Sequence, residues 1–165
     1  MREVIFDNCV LSNFALSNSL QIIKKLYSGV SYITDFTAAE NMRGIAQGYG
    51  GLEKIRDALN EGWLTEITLN SHEEKTLFES LSISMGSGEA SSIAAAKVGR
   101  FVFACDDRAA RREAALLQVA LTGTLGILAR AVKEKIISVQ AADDVLNLMI
   151  KHGFYAPVIS VREIL

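Results

Sequence analysis

The chain has 165 residues, of which 50% are hydrophobic and 22% are charged, and its formal net charge is −2. This apolar content is enough for a sizeable core and excludes a disordered chain. The balanced charge excludes bulk electrostatic capture of nucleic acid, and two cysteines are too few for a disulfide framework. No secretory leader opens the chain and the apolar stretch 116–132 is interrupted by polar residues, so we expect a cytoplasmic protein without a membrane span.

Short β-like runs alternate with longer helical patterns along the chain. The predicted strands are 4–6, 30–34, 64–69, 101–105 and 119–121. The predicted helices lie around 20–26 and at 36–47, 52–61, 71–81, 88–98, 107–117, 124–135 and 139–151, with a short helix within 158–165. Small polar residues that precede these patterns predict N-caps, namely Thr34 or Asp35, Ser71 and Ser87.

Strands that alternate with helices predict an α/β fold. We expect a central parallel sheet with helices on both faces, that is, a three-layer α/β/α domain that spans 1–165. Right-handed crossovers place the carboxyl end of every strand at one edge of such a sheet, which is where ligands bind.

Carboxylates follow the predicted strands at this edge. Asp7 comes directly after the first strand, Asp106 and Asp107 follow 101–105, and Glu40 and Glu89 lie early in helices on the same edge. Two such charges 4 Å apart repel by about 4 kcal/mol at an effective dielectric constant near 20, so a counter-charge is needed. Carboxylates without histidine or cysteine support favour Mg²⁺ or Mn²⁺ over zinc, and such an ion can activate water for phosphoryl chemistry.

Ordinary structural roles are the alternative for each acid. Glu40 and Glu89 can be acids that favour the positive end of a helix, and either Asp106 or Asp107 can be only an N-cap. Both histidines fall in peripheral helices, so we do not expect them to bind a metal.

Other polar residues lie near the predicted edge. Arg108 and Arg111 can hold a substrate phosphate or can belong to a solvated helix face. Asn13 can support the metal site or can be an exposed helix residue. Cys9 and Cys105 would lie close together if the acids share a site, either as a redox-sensitive pair or, as we expect, as small buried apolar groups.

The sequence resembles the PIN-domain nucleases, in particular the VapC-like toxins, over nearly the whole chain. Five segments carry the likeness: FDNCVLSNF at 6–14, TDFTAAE at 34–40, GSGEASSIA at 86–94, CDDRAAR at 105–111 and TGTLGIL at 122–128. The third and fourth of these are similar to the Gly-Glu-Ala and Asp-Asp-x-x-Ala-Arg segments of one branch of the family.

The resemblance implies an endoribonuclease that cleaves RNA with Mg²⁺ or Mn²⁺. Asp7, Glu40 and Glu89 match the first three acids of the family, and Asp107 fits the fourth position better than Asp106. Asp106 then holds a second metal, orients a ligand or caps a helix.

Two positions depart from the family pattern. Cys9 stands where a small hydroxyl residue is frequent, and Glu89 replaces the more common aspartate. Neither departure removes a metal-binding carboxylate.

The resemblance also implies partners: an RNA substrate, a small antitoxin protein and a second copy of the chain. A second hypothesis is a non-catalytic RNA- or protein-binding module that retains the fold and the acids. A phosphatase is less well supported, because Asp7 lacks the second aspartate expected of an aspartyl-phosphate enzyme. The loop at 86–88 lacks the ending of a nucleotide triphosphate-binding loop.

Overall fold

A computed structural model of the chain describes residues 2–165, so only Met1 of the predicted domain lies outside the described residues. Within this range the structure has five strands, which are Val4–Phe6 (β1), Ser31–Thr34 (β2), Leu64–Ile67 (β3), Val102–Ala104 (β4) and Leu121–Thr122 (β5). They form one sheet in the order β3-β2-β1-β4-β5, and every neighbouring pair is parallel. The predicted α/β fold with a parallel sheet is confirmed.

The helices of the described residues connect these strands. They are Asn8–Leu16 (α1), Leu20–Tyr27 (α2), Asp35–Ala46 (α3), Glu53–Asn60 (α4), His72–Leu81 (α5), Ser87–Gly99 (α6), Arg108–Leu116 (α7), Thr124–Lys133 (α8) and Val139–Lys151 (α9), with short 3₁₀ turns at Gly50–Leu52 and Val161–Ile164. None of the helices in residues 2–165 is long and apolar enough to cross a membrane.

The sheet separates two hydrophobic cores because side chains alternate between its faces. Val4 and Phe6 of β1 pack in one core with residues of α1, α2, α8 and α9. Ile5 and Phe103 point to the opposite face and pack with residues of α6 and α7. The molecule is therefore the three-layer α/β/α arrangement that the sequence predicts.

The central strands bring their carboxyl ends together. Phe6 of β1 pairs with Ala104 of β4, and the amide of Asp7 donates to the carbonyl of Ala104 over 2.9 Å. The backbone that leaves β1 at Asp7 therefore lies beside the backbone that leaves β4 toward Asp107. This register places two distant parts of the chain at one edge of the sheet.

Several predicted boundaries differ from those in the structure, and two of the differences have a clear cause. Gly86, not Ser87, is the N-cap of α6, because Gly86 has extended backbone angles while Ser87 is already helical. The last strand is Leu121–Thr122 and not 119–121, because the amide of Val119 turns back to the carbonyl of Ala114 and closes α7.

Candidate active site

Asp7 is held at the start of α1, directly after β1. Its carboxylate caps the helix by accepting a hydrogen bond from the amide of Cys9 over 3.4 Å, and the residue is only 4% exposed. Burial raises the pKa of Asp7, because a carboxylate away from water is costly. The next residue, Asn8, has a buried Oδ1 with no hydrogen-bond partner in residues 2–165. This amide oxygen is a further free acceptor next to Asp7.

Asp107 has the matching position at the start of α7. Its Oδ1 accepts a hydrogen bond from the amide of Ala110 over 2.8 Å, which makes Asp107 the N-cap, while the residue stays exposed. One oxygen is enough for the cap, so the other is left for a ligand. Capping and a functional role are therefore compatible at this residue.

Glu40 reaches from α3 to the first turn of α6. Its Oε1 accepts a hydrogen bond from the amide of Gly88 over 3.1 Å. A Cβ atom at Gly88 would lie 2.6 Å from each carboxylate oxygen of Glu40, so no other residue fits there without displacing the acid. Burial and then the charge of Asp7 raise the pKa of Glu40.

Glu89 shows that the four acids share one environment. Its pKa is raised to about 7, first by burial and then by the negative charges of Asp7, Asp107 and Glu40. Four separate segments of the chain thus deliver carboxylates whose charges act on one another. We call Asp7, Glu40, Glu89 and Asp107 the acid pocket.

The acid pocket lacks a cationic partner in the described part of the chain. The two ion pairs of residues 2–165, Lys24–Glu61 and Arg130–Glu134, involve none of its members. The charge of Arg43 lowers the pKa of Glu40 but forms no ion pair with it. Oxygen donors with negative charge are the donor type that Mg²⁺ and Mn²⁺ take, so the chemistry of the residues fits a divalent cation. No three of these carboxylates lie within 4.8 Å of one another in residues 2–165, so they would have to draw together around a bound ion.

Asp106 belongs to a different set of contacts. Its carboxylate accepts hydrogen bonds from the amide of Thr124 (2.9 Å), from Thr124 Oγ1 (2.6 Å) and from Asn13 Nδ2 (3.1 Å). Asn13 also donates to Thr124 Oγ1 over 3.1 Å. We call Asp106, Asn13 and Thr124 the α8 clamp. Of the roles considered for Asp106, these contacts favour capping, here at the start of α8. Asn13 hydrogen-bonds Asp106.

The two arginines differ in their surroundings. Arg111 Nη1 donates to the carbonyl of Cys105 (2.7 Å), directly after β4, and to the carbonyl of Thr122 (2.8 Å), the last residue of β5. Arg108 is exposed, and both arginines line a groove of about 490 Å³ beside Asp106 and Tyr155. Arg111 therefore has a structural task, whereas Arg108 is the better placed of the two for a substrate phosphate.

The two cysteines lie against Asp7. Cys105 Sγ donates to Asp7 Oδ2 over 3.8 Å, and the amide of Asp106 donates to Cys9 Sγ over 3.5 Å. Both thiols are free, Cys105 is fully buried and Cys9 is half-buried. The predicted proximity of the two cysteines is confirmed.

The sequence pattern does not predict the buried hydroxyl network between α3 and α6. Thr34 ends β2 and caps α3. Its Oγ1 shares a hydrogen bond of 2.7 Å with Ser91 Oγ of α6, and Thr37 Oγ1 shares one of 3.3 Å with Ser92 Oγ. All four residues are fully buried. The network joins α3 to α6, which carry Glu40 and Glu89. Its signal in the sequence is the Ser91-Ser92 pair within the alanine-rich run of α6.

The fold and site define an α/β protein with an acid pocket at the carboxyl edge of a parallel sheet. A family model described as PIN domain matches residues 3–165. The chain therefore belongs to the PIN-domain family. PIN domains are generally metal-dependent nucleases, and membership supports a nuclease-type hydrolase. No curated protein and no solved structure matches the chain.

Proposed function

We propose that this PIN-domain protein is an endoribonuclease that uses Mg²⁺ or Mn²⁺ held by the acid pocket. The observation that carries the proposal is the placement of the four acids at one edge of the sheet. Asp7 and Asp107 follow the neighbouring strands β1 and β4, and Glu40 contacts the amide of Gly88 in the first turn of α6, beside Glu89. A divalent ion bound there would activate water and stabilise the charge that develops on a phosphodiester.

The chain's own contribution is to position the carboxylates in advance. Backbone amides hold the carboxylates of Asp7, Asp107 and Glu40 at the starts of α1, α7 and α6, respectively. Each contact restricts where its carboxylate can lie and leaves the second oxygen for a ligand.

The groove beside the pocket supports RNA as the substrate. Arg108 offers an exposed guanidinium for a phosphate, and Tyr155 is 84% exposed on the same groove. Cationic and aromatic side chains along one groove are what single-stranded nucleic acid binds, by phosphate contact and base stacking. Arg108 is the proposed phosphate contact, with Arg111 as its support.

We further propose that the protein is the toxin of a toxin–antitoxin pair and acts in the cytoplasm. The support is the likeness to VapC-like toxins. A small antitoxin and a second copy of the chain are the proposed protein partners, and the exposed apolar residues Ile83 (88% exposed) and Ile159 (83% exposed) are side chains that a partner can cover.

The deciding experiment is cleavage of a mixed single-stranded RNA pool with Mn²⁺, with and without a chelator. The comparison is between wild type, Asp7→Asn and the matched control Asp57→Asn, which changes an exposed aspartate of α4. Asparagine also caps helices, so Asp7→Asn should fold. We expect cleavage by wild type and the control only. If all three chains bind RNA and none cleaves it, the non-catalytic binding module is the better description.

A further inference from the structure

We propose that Asp7, Cys9 and Cys105 form a second metal site, one for a thiophilic divalent cation such as Zn²⁺, which shares Asp7 with the acid pocket. We call these three residues the thiol site. Binding at the thiol site is independent of the proposed nuclease function. Only its consequence, inhibition of cleavage, rests on that function.

The geometry of the thiol site is already close to that of a bound ion. One potential ligand atom from each of the three residues lies within 4.8 Å of the other two, and Cys105 Sγ is 3.8 Å from Asp7 Oδ2. Around a tetrahedral Zn²⁺, with bonds of about 2.3 Å to sulfur and about 2.0 Å to oxygen, ligand atoms are roughly 3.5–3.8 Å apart. A contraction of about 1 Å or less would therefore close the site.

The donor chemistry separates the thiol site from the acid pocket. Two sulfurs and one carboxylate oxygen select zinc-like ions, whereas carboxylates alone select Mg²⁺ and Mn²⁺. The thiol site and the acid pocket overlap only at Asp7. An ion at the thiol site takes that oxygen and also places positive charge beside the remaining three acids, so the two sites should compete.

The number of protons that metal binding at the thiol site releases can be measured. Both cysteines are free in the structure, and a metal binds the thiolate and not the thiol. One Zn²⁺ that binds two thiols and the ionised carboxylate of Asp7 gives a complex of net charge −1 and releases the two thiol protons to the buffer. Cys9 is only half-buried, so the ion has access to the site from its side.

The first test uses the reduced full-length chain with Co²⁺ or Zn²⁺ alone. Co²⁺ should produce thiolate-to-metal charge-transfer absorption with one ion per chain. Zn²⁺ calorimetry in two buffers of different ionisation enthalpy should give a release near two protons. Cys9→Ser, which places a hydroxyl residue as is frequent at this position in the family, and Cys105→Ala should each weaken binding by more than about tenfold.

Two variants guard against loss of folding as the explanation. Cys105→Ala opens a small gap in the core, whereas Cys9→Ser changes a half-buried residue, and thermal melts of both show whether they fold. The site is disproved if Co²⁺ gives no charge-transfer band with the folded wild type. It is also disproved if the band persists unchanged in both folded variants.

Cleavage assays then separate this inference from the proposed function. With Mn²⁺ present, Zn²⁺ should inhibit wild type, and Cys9→Ser should need about tenfold more Zn²⁺ for the same fractional inhibition of its own rate. Robust Mn²⁺-dependent cleavage without a Co²⁺ band refutes the thiol site alone. A Co²⁺ band without cleavage under any condition refutes the proposed nuclease and leaves the thiol site standing.

Discussion

The acid pocket and the α8 clamp are both built around aspartates at the same edge of the sheet, and two of these aspartates are adjacent in the chain. In the α8 clamp, three donor hydrogens meet the carboxylate of Asp106. In the acid pocket, Asp107 accepts one hydrogen bond and adds its charge to the environment of Glu89. The two regions differ in the number of hydrogen-bond donors that reach the carboxylate. A carboxylate whose oxygens are all hydrogen-bonded stabilises the fold, whereas one with a free oxygen is available for a ligand.

The largest expected effect separates the two adjacent aspartates by activity. Asp107→Asn should lower RNA cleavage and Mn²⁺ affinity by about 100-fold or more, because it removes a metal-binding charge but keeps a capping side chain. Asp106→Asn should affect cleavage far less. Rates for both variants at saturating Mn²⁺, with melting temperatures as the folding control, check this. Equal losses in the two variants would contradict the division into pocket and clamp.

A change of packing without loss of any acid should also damage the pocket. Gly88→Ala places a Cβ 2.6 Å from both oxygens of Glu40, so that carboxylate must move. We expect cleavage to fall by about 10- to 100-fold, as when other groups that orient metal ligands are changed. The matched control is Gly50→Ala, where a Cβ meets nothing within 4 Å. Unchanged cleavage by a folded Gly88→Ala would mean that the position of Glu40 is unimportant.

The clamp should respond in stability. Asp106→Asn replaces the charged acceptor of three hydrogen bonds, and we expect the free energy of unfolding to fall by about 2 kcal/mol. In a domain of this size that corresponds to a melting temperature lower by about 4–8 °C. Asp107→Asn should change the melting temperature by less. Differential scanning calorimetry in the presence of a chelator measures both, and the reverse order would overturn the assignment.

The smallest effect concerns pH. The folded-state pKa of Glu89 is about 7 against an ordinary value of 4.5, so between these values the folded state keeps a proton that the unfolded state releases. The free energy of unfolding of the metal-free protein should therefore fall as the pH rises from 4.5 to 7.

Glu89→Gln should reduce that fall and raise the metal-free melting temperature at pH 7.5 by about 2–4 °C, or about 1 kcal/mol. Glu79→Gln, on the exposed surface of α5, is the control. Because the proton must leave when a metal binds, Mn²⁺ affinity of wild type should also weaken below pH 7. A melting temperature that Glu89→Gln leaves unchanged would contradict the crowding of the acids.

The sequence predicts the order of the strands and of most helices, because apolar periodicity and caps are local signals, but the predicted helices do not include Asn8–Leu16 (α1). The helix Val139–Lys151 and the cap at Ser71 agree with the prediction. It also predicts that Asp7 and Asp107 share an edge, since parallel strands fix that outcome. What stayed open is which of Asp106 and Asp107 caps α7. Asp106 does not cap α7 because its carboxylate is bonded by Thr124 at the start of α8, and only tertiary packing brings Thr124 to Asp106.

The sequence does not predict the hydroxyl network or the close contact at Gly88 either, because both depend on tertiary packing. Serine in a helix is usually solvated or bonds its own backbone, so Ser91 alone does not indicate a partner 57 residues away. Likewise, a glycine beside a helix start is ordinary, and its purpose is visible only once Glu40 is placed against it.

The backbone amides that hold Asp7, Asp107 and Glu40 bear on the order in which a working protein is assembled. Three acids have partners before any ion arrives, and the two N-caps, Asp7 and Asp107, each contribute about 1 kcal/mol to folding. The helix starts that position these acids can therefore form without metal. The supply of the ion, and not the time of translation, would then decide when the molecule becomes competent.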